Sequence, residues 1–321
     1  MRSVLQSNAF KISLYVAVSI LMGALLAPPL FWAGRSLYEA GVFKGGRILG
    51  LDLHDELRRA GLARYLNRAM LASALAALWP LILWLGTRPR EFLQLHPNPR
   101  RFAHLSTGFV LAAGGLLLLG WGLCAGRVFG LDSKAPPLIQ VILTALLSAL
   151  SVGFLEEFFF RGCILGLALR TSPKLAALAF SSLFFAAVHF LKPPESLPLP
   201  GPVTWTSGFW LVGQIFAQFG NPVFILAEFS TLFLVGWVLG YTRLKTHSLW
   251  AAIGLHSGWV FGIKVFGAMT NRTIGIESTL PWIGKDLKSG LVALLVVGLT
   301  GFAMRWWLSR GSPAEVSSSS E

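Results

Sequence analysis

The chain reads as an all-α polytopic membrane protein, with about eight transmembrane helices in one bundle. Three observations predict this. Apolar residues make up 54% of the 321 positions and charged residues only 13%. The apolar residues gather into runs near twenty long, which is what a helix needs to cross ~30 Å of hydrocarbon. The basic residues sit in the short stretches between those runs, where membrane proteins concentrate them.

The first helix is expected over residues 12–33, flanked by Arg2 and Lys11, and is longer than a signal-peptide core. Pro28 and Pro29 should kink or end it. Residues 34–65 form a polar connection, in which Asp52, Asp55, Glu56, Arg58 and Arg59 mark an amphipathic surface helix. Helices two and three are expected over 66–86 and 105–123, separated by a basic, Pro-rich loop. Helix four, over 138–169, is too long for one straight crossing and should tilt or project. Pro173 opens helix five, over 175–191. A loop over 192–222 has an apolar middle, 209–219, that suits an interfacial or re-entrant position. Helices six, seven and eight follow over 222–241, 248–266 and 289–307, and the Ser-rich tail after 310 is expected to be disordered.

A net charge of +13 would suggest nucleic acid in a soluble protein. Here the basic loops explain it, so the expected partner is the lipid bilayer, with no nucleic acid. Cys124 and Cys163 supply neither a disulfide framework nor a zinc spacing. Eight crossings and the density of bases on one side put both termini in the cytoplasm, in the plasma (inner) membrane of a prokaryote.

Helix four carries Leu155-Glu156-Glu157-Phe158-Phe159-Phe160-Arg161 within a run otherwise free of charge. A charge near the bilayer centre costs roughly 2.5–3.5 kcal/mol on insertion scales, so such residues mark function or a buried ion pair. Glu157 and Arg161 are four apart with the acid first, the better order for a helical pair. Glu156 lies about 100° round the helix and meets Phe159 and Phe160 at those spacings. One acid is therefore expected to pair with Arg161 and the other to do chemistry. The bland alternative is a structural charge network, which needs only one acid.

His189 ends helix five. It lies sixteen residues after Pro173, as Glu156 lies sixteen before Ser172, so the two should share a depth roughly 24 Å from the turn. His256 lies in helix seven between Gly254 and Gly258, a small-residue face for close packing. Glu228, in helix six, is open to three readings: part of the site, a partner for Lys264, or a gate. His and carboxylate are zinc ligands, which leaves metal binding open. No HExxH pair occurs, however, and adjacent Glu156 and Glu157 lack helical spacing. Glu and His jointly activating one water, without a cofactor, fits better. Burial favours the neutral forms of both groups, and a second His can donate to a developing oxyanion.

Three motifs in order, Glu156-Glu157 with Arg161, Phe185 with His189, and Ser248-Leu249-Trp250 running into His256, resemble the CAAX-processing and bacteriocin-processing (CPBP or Abi) family of intramembrane proteases. The resemblance spans about 138–266. It leaves 1–137 as N-terminal helices and loops, 267–309 as a last helix and 310–321 as tail. It implies an intramembrane endopeptidase in which Glu156 is the base and His189 shares the water. Arg161 holds Glu157, and His256 stabilises the oxyanion. One position departs from the pattern: the family places Asn or Asp four residues after the histidine, and here Val260 stands there. That departure makes a non-catalytic scaffold or bacteriocin-immunity relative the runner-up, with a proton-coupled transporter as a third class. The metalloprotease label the family has carried is not supported by the ligand spacing here.

Overall fold

A computed structural model of the chain describes residues 8–48, 51–85, 98–191, 199–217, 220 and 222–310. The expected tail and much of the basic loop after helix two lie outside the described residues. Eleven α-helices carry the described chain: α1 Asn8–Glu39, α2 Leu53–Arg59, α3 Leu62–Trp84, α4 Arg101–Ala125, α5 Leu138–Glu157, α6 Leu165–Thr171, α7 Lys174–His189, α8 Ser207–Ala217, α9 Pro222–Thr246, α10 Trp250–Met269 and α11 Leu291–Arg310. A π-helical stretch, Phe158–Ile164, joins α5 to α6 without a break. Two short antiparallel ribbons complete the architecture, β1 Arg47–Ile48 with β2 Leu51–Asp52, and β3 Phe129–Leu131 with β4 Thr270–Arg272.

The protein is an all-α integral membrane protein. Among the described residues, six helical spans are long and apolar enough to cross a bilayer: 10–39, 62–84, 101–125, 138–170, 250–269 and 291–310. Many large apolar side chains point outward on them, including Leu118, Trp121, Leu143, Leu295 and Phe302. Lipid tails are as apolar as leucine, so in a membrane that outward face needs no protein cover.

The chain divides into two compact units, Met1–Glu91 with Ala187–Pro222, and Phe92–Ala186 with Val223–Glu321. In the first, α1, α3 and α8 pack around Ala24, Ala27, Leu62, Leu66 and Leu211. Of the two outcomes expected at Pro28 and Pro29, a kink or an end, they do not end α1, which runs on to Glu39. Pro28 removes the donor that would bond the Ala24 carbonyl. Gly208 of α8 comes against that same carbonyl, so closely that a Cβ there would collide with it. The polar connection forms the short helix α2, with Asp52 as its N-cap accepting from the amides of His54 and Asp55.

The second unit is built on α10, which packs against α4 on one side and α5 on another. Its core holds Ala112, Leu116, Ala251, Leu255, Trp259, Val297 and Met304. Gly254 and Gly258 sit against the backbone carbonyls of Leu105 and Phe109 in α4, where any Cβ would clash. This is the close packing that small residues permit. The β3–β4 ribbon ties the far ends of α4 and α10, with Phe129 opposite Arg272.

Candidate active site

α5 ends on the acidic pair, and the backbone changes to i→i+5 bonding at the next residue. Glu157 and Arg161 are wholly buried, each at 0% exposure. Two charges removed from water must satisfy one another. Arg161 Nη1 donates to Glu157 Oε1 at 2.8 Å. Its Nη2 donates to the Gly236 carbonyl of α9 at 3.2 Å. The guanidinium lies over the ring of Phe185, with Cζ 4.3 Å from the centroid. The pairing expected from the i, i+4 spacing is therefore present.

His256 reaches the same carboxylate from α10. Residues two apart on a helix point about 200° apart. With Gly254 and Gly258 against α4, His256 is turned the other way, towards α5. Its Nδ1 lies 2.7 Å from Glu157 Oε1. Paired with Arg161, Glu157 is ionised and can only accept, so the Nδ1 proton belongs to the histidine. The imidazole meets Phe185 edge-on, with centroids 5.9 Å apart. Phe185 thus forms a wall common to Arg161 and His256.

That orientation aims His256 Nε2 at the other acid. Glu156 Oε2 lies 3.8 Å from it, and the Glu156 side chain is 32% exposed against 0% for Glu157. One carboxylate is locked between two bases, and its neighbour, part-exposed as a side chain, turns a buried oxygen to the remaining edge of the imidazole. With Nδ1 protonated, Nε2 is left as an acceptor facing Glu156.

Residues 138–262 match the family described as type II CAAX prenyl endopeptidase Rce1-like. This is the intramembrane-protease family that the three motifs resemble. No curated protein and no solved structure matches the chain. The Rce1-like segment contains α5, the π-helical stretch and α6 to α9, and ends at Gly262 in α10.

Within the Rce1-like segment, Glu156, Glu157, Arg161 and His256 come together. His189 is the half-buried last residue of α7 and belongs to the first unit. Val260 is half-buried, one turn beyond His256. Ser257 Oγ is buried where α5 approaches through Gly153, and has no hydrogen-bond partner among the described residues. Glu228 pairs with Lys285 at 3.8 Å, not with Lys264, which is exposed. Among the described residues no three His, Cys, Asp or Glu side chains are arranged to hold a metal ion. At Glu157 both Arg161 and His256 engage Oε1.

Three features escaped the sequence. The Glu157–His256 hydrogen bond joins residues 99 apart, and no local spacing announces it. The Gly236 carbonyl is a backbone group with no residue-type signature. The π-helical stretch left one faint trace, an acidic motif placed where a helix too long for one crossing had to change course. Such stretches recur at functional sites.

Proposed function

We propose that the protein is an intramembrane endopeptidase that hydrolyses a peptide bond with a water activated by Glu156. The observation that carries this reading is the relay Arg161–Glu157–His256, which ends with Nε2 3.8 Å from the carboxylate of the part-exposed Glu156 side chain. Arg161 keeps Glu157 ionised. Glu157 fixes the tautomer and the tilt of His256, and His256 and Glu156 together orient the water. The water oxygen attacks the peptide carbonyl carbon, and its proton passes to Glu156. Glu156 returns that proton to the amide nitrogen as the C–N bond breaks, leaving an acid and an amine. The oxyanion role expected for His256 requires a proton on Nε2 as well, hence the imidazolium form. The share of the water given to His189 rests on its sequence motif and on the depth expected from its distance to the turn. The substrate is a membrane peptide or protein, and the resemblance to CAAX proteases supports a C-terminal, lipid-modified one.

One observation favours a second reading. Val260 stands where the family carries a hydrogen-bonding side chain, which suits a relative that keeps the relay as a scaffold and does not cleave. Comparing membrane peptides from cells with the wild-type and Glu156→Ala copies separates the two. A protease leaves products that vanish with the variant; a scaffold leaves none in either.

A further inference from the structure

A second constellation lies at the end of the second unit where α4 begins and α9 and α11 finish. A cleft of about 730 Å³ opens there. It is lined by Arg100, His104, Lys245, Trp306, Trp307 and Arg310, among others, and no lining residue is acidic. The acids of the second unit fall elsewhere among the described residues. Glu156 and Glu157 are in the candidate active site. Asp132 follows β3 at the far end of α4, Glu228 lies in the first turns of α9, and Glu277 and Asp286 lie between α10 and α11. Among the described residues the potential at this mouth is therefore positive.

The cleft is built as well as charged. His104 is 8% exposed, meets Trp307 edge-on with centroids 5.7 Å apart, and has Nδ1 3.1 Å from the Asn98 amide. The Asn98 side-chain carbonyl accepts the Arg100 amide at 2.9 Å, which shapes the entry to α4. Arg310 lies flat over Trp306, with Cζ 3.6 Å from the centroid. Arg100, Lys245 and Arg310 are exposed, with their charged ends towards solvent. Both α4 and α11 are candidate spans, so their ends, and the cleft, stand at the membrane–water boundary. Indole rings prefer that level, and basic pockets between helices there suit anionic head groups.

We infer that this cleft binds the phosphate head group of an anionic phospholipid, with the acyl chains running down the exposed apolar side of the neighbouring helices. Arg100, Lys245 and Arg310 neutralise the phosphate, the amides at the start of α4 add donors, and Trp307 packs on the glycerol. Phosphate alone would use the bases and neglect the indoles. The inference stands apart from the peptidase reading, because it needs no chemistry at Glu156.

The test uses the full-length protein in neutral detergent, with bound lipid counted by native mass spectrometry. Phosphatidylglycerol is compared with phosphatidylcholine of the same chains, with and without inorganic phosphate. The expected result is preferential retention of phosphatidylglycerol, resistant to equimolar phosphate. Arg100→Gln/Lys245→Gln/Arg310→Gln should reduce that retention by about tenfold or more, since each base near an anionic head group adds to the attraction. Arg127→Gln/Lys134→Gln/Lys174→Gln, at exposed bases elsewhere, should not. All six positions are solvent-facing, so both triples are expected to fold, and an unchanged melting temperature checks this. Equal retention of the two lipids, equal loss in both triples, or displacement by equimolar phosphate would each overturn the inference.

Discussion

Glu157 Oε1 accepts from Arg161 Nη1 at 2.8 Å and from His256 Nδ1 at 2.7 Å, so one buried oxygen joins the helix that carries the acids to the helix that carries the histidine. Breaking that junction from either side has different consequences, because Arg161 balances a charge and His256 does not.

Arg161→Ala leaves a buried carboxylate without its counter-charge. Loss of one partner of a buried pair costs roughly 3–5 kcal/mol. The expected outcome is a sharp fall in folded yield and melting temperature in detergent. A variant as stable as wild type would show that Glu157 is neutralised in another way.

His256→Gln keeps a donor near Glu157 and removes the aromatic base facing Glu156. Peptide cleavage should fall at least about 100-fold, the lower range for a positioned acid or base. Folded yield should change little. Retained cleavage would detach His256 from the chemistry.

The helix packing that aims His256 has its own test. Gly254→Ala places a methyl against the Leu105 backbone, and overpacking of this kind costs typically about 1–3 kcal/mol. Gly114→Ala, on α4 itself, meets nothing within 4 Å and should be neutral or stabilising by up to ~1 kcal/mol. Thermal unfolding of both variants measures the contrast. Equal effects would mean that α4 and α10 do not rely on the glycine contact.

How far these features were legible depended on whether their cause was local. The helices announced themselves through apolar length, and the Glu157–Arg161 pair through its spacing of four. The small faces at Gly254 and Gly258 told which way His256 turns, but not what it turns towards. That needed α5 to be placed beside α10, which depends on Gly153 fitting against Ser257. The β3–β4 ribbon was hidden because three-residue strands carry no alternation to read. Pro28 left two outcomes open, a kink or an end, and the helix runs on past it.

Val260→Asn restores the side chain the family places one turn beyond His256. An oxyanion donor is worth about 2.7–4 kcal/mol. If the protein cleaves slowly for want of that donor, turnover on a membrane peptide should rise, and Glu156→Gln should abolish the gain. If it is a scaffold, the substitution adds a half-buried amide, lowers stability and creates no product. Turnover that is already substantial in wild type and unchanged by Val260→Asn would show that another group stabilises the oxyanion.

Metal removal should leave the activity intact, given that Glu157 is already committed to Arg161 and His256. Cleavage is measured before and after chelation, with metal analysis of the pure protein. Stoichiometric zinc whose loss abolishes cleavage, and whose return restores it, would contradict this.

The division of labour between the two adjacent acids is the centre of the reading, and Glu156→Gln tests it most directly. The variant keeps the shape of an accessible, 32% exposed side chain and removes only its basicity. Purified wild type and variant are given the same membrane peptide, products are counted by mass spectrometry, and melting temperatures are recorded alongside. The predicted result is an unchanged melting temperature with product formation reduced to background. Wild-type levels of product from a properly folded Glu156→Gln protein would contradict it.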